Sequence, residues 1–349
     1  MPRHIENTVS KPSITVPAPL SPGDTIAVYS PSSAAPCRFP LRFGRGLEKL
    51  RSLGYSVLLS NHATADIEGK AGTPHQRARD LEELFFNPNV KGIVASIGGN
   101  DARLVVPLID WSRIMRHPKW FVGHSDTTAI HCALLSKASI ASLYGPTVMT
   151  DFAEFPDMPS ESEESFQSCI CKGTFPPLKP INQFYGECPD WANKGGQEAL
   201  RPRLSAPKPV VLNPGVATGR VVGGCIESLS ELAESTERQW FTAGSGDILL
   251  LETSAQTFNP ETLSYQLDTL KTSGCVSFAS LEGVVFGAKC WTAQEYQEIA
   301  ERLGNALGDT KAPAVIGLPI GHVTPCFCIP LGVYGRLNAT KRDPSLSFI

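Results

Sequence analysis

At 349 residues, 42% hydrophobic and 8% aromatic, the chain is long enough to bury the core of one large domain or two ordinary ones. Lys and Arg total 31 against 34 Asp and Glu, a net charge of -3. This balance argues against a basic nucleic-acid surface or a polybasic membrane patch and favours a small-molecule or short-peptide partner. No apolar run reaches the roughly 18 residues of a membrane span. The opening MPRHIENTVSKPSITVPAPL mixes charge, serine and proline where a secretory signal needs a continuous apolar stretch. An irregular arm over residues 1–20, no membrane partner and a cytoplasmic location are the expectation. The ten cysteines contain no Cys-x2-Cys pair and are read as free thiols. Cys169 with Cys171 and Cys326 with Cys328 lack the spacing of a zinc pair, so no metal site is expected from them.

In chain order, DTIAVYSPSSA (24–34) predicts a strand and a Ser/Pro loop, followed by a helix over Phe43 to Leu53 and a second strand, YSVLLS. A helix-prone stretch, HQRARDLEELFFN, precedes KGIVASIGGNDARLVVPLI, which predicts a buried strand, a Gly-Gly turn and a helix. FVGHSDTTAIHCALL repeats that design: an apolar strand end, a polar hexapeptide, then apolar Ile130, Ala133 and Leu134 at helical spacing. Strands alternating with helices imply an α/β domain over 21–150, with an open parallel sheet whose sites form at the carboxyl ends of its strands. From Asp151 to Leu200 nine acidic residues stand against three lysines among Pro, Gly and Ser, and 151–213 is read as a linker and acidic lid. Regular patterning returns in 214–349, through RVVGGCIESLSELAE, DILLLET, a helix over Pro260 to Ser273, a strand over VSFASLEGVVFGAK, a helix over Ala293 to Leu303, APAVIGLPIGHVTP and two short strands, a second α+β domain.

The strand-end loops carry the candidate chemistry. Gly98 to Arg103, GGNDAR, sits where free N–H groups and a helix start favour negative charge; it reads as a tight capped turn, a phosphate loop or an oxyanion site. Gly123-His124-Ser125-Asp126 resembles in form a nucleophile elbow, in which Ser125 attacks and the Asp126 N–H faces the developing oxyanion. The alternative is that Ser125 or Asp126 only caps the helix. A serine nucleophile needs a base, and of seven histidines His322, in Pro-Ile-Gly-His-Val-Thr-Pro after an apolar strand, is best placed to present an imidazole, unless it is structural. Glu252 closes Asp-Ile-Leu-Leu-Leu-Glu and either orients that imidazole or is a surface charge at a strand end.

These residues together resemble the LD-carboxypeptidase group of serine peptidases, which includes the microcin C immunity proteins. The matching landmarks run in order from about residue 20 to 340: Gly98 to Arg103, GHSDTT, Tyr144-Gly-Pro146, GVATGRVVGG, the strand ending in Glu252, and the late Pro-x-Gly-His322. The resemblance implies a glutamine-amidotransferase-like, flavodoxin-like open sheet, a smaller β-rich C-terminal domain, and a homodimer. It implies a Ser125 nucleophile, His322 base and Glu252 orienter, with the N–H groups of Gly99 and Asp126 as oxyanion hole and no metal or cofactor. The reaction it implies is hydrolysis, through an acyl-enzyme, of an amide near a free carboxylate, peptide or aminoacyl-nucleotide in type. Asn100, Arg103, Trp191 and Cys225 are the candidate substrate contacts, Trp191 as the loop tryptophan that in the immunity branch stacks on a nucleobase. The chain departs from the family pattern at His124 (usually Tyr), Thr127 (usually Ile), Cys225 (usually Asn) and Ser235-Thr236 (usually Gly-Thr). An acyltransferase, cyclase or esterase with the same triad, or a non-catalytic binding protein, are the alternatives.

Overall fold

The computed structural model describes residues 13–188, 190–255, 258–289 and 291–349; residues 1–12, with His4 and most of the expected N-terminal arm, and Cys290 lie outside them. Five strands, β1 (Thr25–Tyr29), β2 (Ser56–Leu59), β3 (Val90–Ala95), β4 (Trp120–Gly123) and β5 (Ser142–Tyr144), are followed by a short antiparallel pair, β6 (Gln183–Tyr185) and β7 (Arg203–Ser205). Then come β8 (Val210–Asn213), β9 (Gly215–Cys225), β10 (Asp247–Glu252), β11 (Gly283–Gly287), β12 (Ala314–Leu318), β13 (Ile329–Leu331), β14 (Tyr334–Ala339) and β15 (Ser345–Phe348).

The first sheet has six strands in the order β13-β5-β4-β3-β1-β2, parallel throughout except for β13 against β5. The run β2-β1-β3-β4-β5 is the flavodoxin-like order, as expected, and its switch point lies between β1 and β3. The edge strand β13 is supplied by the C-terminal part of the chain, just after the loop that holds His322. A second sheet of seven strands, β15-β14-β9-β10-β11-β12-β8, is parallel from β9 to β12 and antiparallel at its edges.

Continuous apolar strands follow from burial on both faces. In β10, Ile248 and Leu250 enter one core cluster while Leu249 and Leu251 enter another; in β1, Ile26 and Val28 part in the same way from Ala27 and Tyr29. One of these clusters spans both sheets: Leu249, Leu251, Leu229 and Leu232 share it with Ile130, Ala133 and Leu134 of the helix Thr128–Lys137. Each fully buried side chain of this size contributes roughly 1.5–3 kcal/mol, so the two sheets are joined by packing and not only by the chain. That helix is buried almost all round, including Thr128 and His131, where one apolar face was expected. Helices start where the local code directs: Thr73 with Gln76 and Thr292 with Glu295 each form a reciprocal capping box.

Within 151–213, expected as linker and lid, the first part is core. The helix Ser160–Ile170 buries Ser162, Ser165, Phe166, Cys169 and Ile170, an i, i+3, i+4, i+7, i+8 face. Its serines are satisfied there: Ser162 Oγ donates to Asp151 Oδ2 (2.6 Å) and Ser165 Oγ accepts from the Cys328 N–H (3.0 Å). Partnered serines in a buried face look like loop residues in a sequence, which is why the amphipathic period was hidden. The nine described cysteines are free. No helix among the described residues is long and apolar enough to cross a membrane.

His131 is fully enclosed, with Nε2 2.9 Å from the Gly123 carbonyl and Nδ1 2.7 Å from Ser142 Oγ. Burial holds its imidazole neutral, down at about 4 from the ordinary 6.5. Between those values the unfolded chain binds a proton that the folded chain does not, so this residue's contribution to stability falls as pH falls, by about 1.4 kcal/mol per unit at most. His131→Gln is expected to be less stable than wild type at pH 7.5, with the gap narrowing by about 2–3 kcal/mol towards pH 4.5. Urea midpoints at the two pH values check this; parallel pH dependence of the two proteins would contradict it.

Candidate active site

β4 ends at Gly123, and the chain turns through His124 into a short 3-10 turn, Ser125–Thr127, and the helix Thr128–Lys137. Ser125 sits at φ +67°, a left-handed conformation that costs a non-glycine residue on the order of 1 kcal/mol. A capping serine has extended dihedrals and accepts from the next turn. Ser125 does neither, and no side-chain cap bond forms at the start of the turn or of the helix. Asp126 is used elsewhere: its Oδ2 accepts from the N–H groups of Asp101 and Ala102, both at 2.9 Å, and so fixes the GGNDAR loop. The strained serine is held from both sides, its N–H donating to Tyr144 OH (3.0 Å) and its carbonyl accepting from Thr128 Oγ1 (2.6 Å).

His322 Nε2 lies 3.0 Å from Ser125 Oγ, and its Nδ1 lies 2.8 Å from Glu252 Oε2. A carboxylate only accepts, so Nδ1 carries the proton and the Nε2 lone pair faces the serine hydroxyl. Glu252 also accepts from the His322 backbone N–H (3.2 Å) and from Tyr144 OH (2.5 Å). Burial alone would push the Glu252 carboxyl up; the His322 imidazole and the hydrogen bonds from His322 and Tyr144 outweigh it and hold the group down at about 2. These residues meet because carboxyl ends of both sheets face each other: Ser125 follows β4, Glu252 ends β10 and His322 follows β12. Gly321, at φ +71°, must be glycine, since a Cβ there would run into the Glu252 carboxyl.

Gly98 packs against Ser125. A Cβ on it would stand 2.9 Å from Ser125 Oγ and 3.3 Å from the Asp126 nitrogen. Ser32, in the loop after β1, accepts from the N–H groups of Asn100 (3.1 Å) and Asp101 (3.0 Å), which aligns the Gly98-Gly99 backbone beside Ser125. Gly98→Ala is therefore expected to slow serine labelling by a fluorophosphonate at least about 100-fold, a misplacement on the scale of 1 Å at the reacting atom, while the folded fraction is kept. An unchanged labelling rate would remove the GG turn from the site.

The other candidates divide. Asn100 Oδ1 accepts from Lys70 Nζ. Arg103 Nε lies 3.5 Å from Glu231 Oε2 on the helix Ile226–Glu234, a tie between the two halves. Trp191 is placed against Phe39 (ring centroids 5.7 Å apart) and the Arg42 guanidinium (4.6 Å from its ring centroid). Cys225, the last residue of β9, is register partner to Glu252, and its buried Sγ donates to Glu227 Oε2 at 2.9 Å. His124 donates through Nδ1 to the Gly145 carbonyl (2.9 Å) and stands edge-to-face to His322, ring centroids 4.9 Å apart. Burial holds it neutral, at about 4. It is a wall of the site and no rival base.

Family models describing the LD-carboxypeptidase N-terminal and C-terminal domains match residues 26–145 and 218–337. The chain belongs to the LD-carboxypeptidase family. The microcin C7 self-immunity protein MccF of Escherichia coli is 29% identical over 344 residues, covering 95% of each chain. A Bacillus subtilis protein named "Probable murein peptide carboxypeptidase" is 25% identical, over 93% of this chain and 92% of its own. The structure of MccF in complex with glutamyl sulfamoyl guanosine superposes with a TM-score of 0.81 at 25% identity, covering 95% of this chain and 98% of that one. An MccF-like protein from Streptococcus pneumoniae in complex with AMP gives 0.82 at 26%, covering 94% and 99%. Membership of the LD-carboxypeptidase family implies carboxypeptidase or amidase activity.

Sequence reasoning missed three members of the site. Tyr144, in the sequence one letter of a Tyr-Gly-Pro landmark, bridges Ser125 and Glu252. Thr128 joins the Ser125 carbonyl to the Cys225 N–H (3.0 Å), and Ser32 orders the Gly-Gly turn. Their signal was position: each is a polar residue within a few residues of a strand's carboxyl end.

Proposed function

We propose that this LD-carboxypeptidase family member is a serine hydrolase that cleaves an amide beside a free carboxylate, of the short-peptide or aminoacyl-nucleotide type. The observation that carries the reading is the unbroken chain Ser125 Oγ, His322, Glu252 with its serine held at φ +67°. Ser125 Oγ attacks the carbonyl carbon as its proton passes to His322 Nε2. Glu252, ionised at neutral pH, stabilises the imidazolium. The Gly99 and Asp126 N–H groups receive the oxyanion, which the packing of the Gly-Gly turn against Ser125 supports. The C–N bond breaks as His322 returns the proton to the leaving amine, and water, deprotonated by the same imidazole, releases the acyl group. Ligands named for the relatives, glutamyl sulfamoyl guanosine and AMP, support a nucleotide-bearing substrate. We place the enzyme in the cytoplasm as a homodimer.

Incubation with aminoacyl sulfamoyl nucleosides and with short peptides ending in a D-residue, in 18O-water, tests this. Release of the amine with one 18O in the new carboxylate is the expected result. Acyl transfer without 18O would replace the hydrolase reading with the transferase one, and binding without turnover would replace both.

A further inference from the structure

Cys225 is the feature of the site that hydrolysis leaves unexplained. Its Sγ, a Glu252 carboxylate oxygen and a His322 ring nitrogen all lie within 4.8 Å of one another. Sulfur, oxygen and imidazole nitrogen are the donors that zinc takes, and around a tetrahedral ion they stand about 3.3–3.6 Å apart. The widest separation is therefore at most about 1.2–1.5 Å beyond ligating geometry.

We infer that Cys225, Glu252 and His322 form an inhibitory site for a thiophilic divalent cation, with zinc as the fitting ion. The ion takes the face of the triad opposite Ser125, binding Glu252, the Cys225 thiolate and Nδ1 of His322. Two balanced proton changes accompany binding. The Cys225 Sγ–H proton is released to solvent, and the Nδ1 proton of His322 leaves to solvent while another is taken up at Nε2, so that the imidazole remains neutral. Nε2–H then faces Ser125 Oγ as a donor and cannot take its proton, which stops the enzyme without touching the serine.

The electrostatics favour the ion over the free thiolate. Sγ sits beside the Glu252 and Glu227 carboxylates, so a free thiolate there meets two negative charges. A divalent cation reverses that repulsion, because a thiolate, a carboxylate and a neutral imidazole sum to the charge that cancels it. Glu227, which accepts from Thr253 Oγ1, the Ser254 N–H and the Cys225 Sγ–H, stands beside the thiol outside the trio. Where the family has Asn in place of Cys225, an amide supplies no such soft ligand.

Titration with Co2+, a spectroscopic stand-in for zinc, reads the site without needing turnover. Wild type is expected to show a saturable thiolate-to-Co2+ charge-transfer band that zinc displaces, and Cys225→Ser and Cys225→Asn are expected to lack it. Zinc is expected to slow fluorophosphonate labelling of Ser125 in wild type, reversibly by EDTA. Relative to its own metal-free rate, each variant should need about 100-fold more zinc for the same slowing. Absence of the band in wild type, or the same band or zinc sensitivity in a folded variant, would overturn the inference. The inhibition arm rests on the hydrolase reading, whereas the band does not: a protein that shows the band but never labels at Ser125 retains the metal site and loses the proposed activity.

Discussion

Ser125→Ala is expected to abolish fluorophosphonate labelling and to lower kcat by about 10⁴-fold or more, since the triad acts as a unit. The fold should survive, because the Tyr144 and Thr128 bonds to residue 125 are made with its backbone. Ser125→Gly sharpens the test. Glycine relaxes at φ +67° where alanine does not, so the glycine variant should be equally inactive yet unfold at no lower urea concentration than the alanine variant. Full labelling of either variant would move the nucleophile elsewhere. An alanine variant more stable than the glycine variant would deny the strain at this turn.

Glu252→Gln carries the second large effect. Three donors converge on the carboxylate: His322 Nδ1–H, the His322 backbone N–H and Tyr144 O–H. An amide offers one accepting atom, so either Tyr144 or His322 meets an NH2 group, and no negative charge remains to support the imidazolium. A loss of about 10⁴-fold in kcat/KM is expected, with the substrate KM nearly unchanged because the group faces the base and not the substrate. The acid side of stability should change too. With its carboxyl at about 2 against the ordinary 4.5, Glu252 stabilises the fold above pH 4.5 and loses that contribution as pH falls towards 2. The glutamine variant should lack that component of the pH dependence. A variant within tenfold of wild-type kcat/KM would return Glu252 to the role of a strand-end charge.

Much of this site was legible because chemistry in an α/β fold gathers at strand ends. Gly98-Gly99, Ser125, Glu252 and His322 each follow an apolar run that had to be a buried strand, and each stands at its carboxyl end. The helix Ser160–Ile170 was not legible, because its buried face is built from serines whose partners, Asp151 and the Cys328 N–H, come from other segments. Tyr144 was equally hidden: a tyrosine after a short strand looks like core until the carboxylate it reaches, from the other half of the chain, is in place. His124, a departure from the family pattern, bonds the Gly145 carbonyl and its ring abuts the His322 imidazole, a contact that spacing along one segment does not contain.

By itself the sequence determined the alternation of strands and helices, the polar turns at their ends and the residue types able to act as nucleophile, base and orienter, because periodicity and turn chemistry are local properties of a chain. Tertiary structure alone decided that Ser125 is strained and not a cap, that the last strand of the first sheet is supplied by the C-terminal part, and that Cys225 shares a corner with Glu252 and His322. Those are relations between residues far apart in the chain, and they become definite only when a common core packs one sheet against the other.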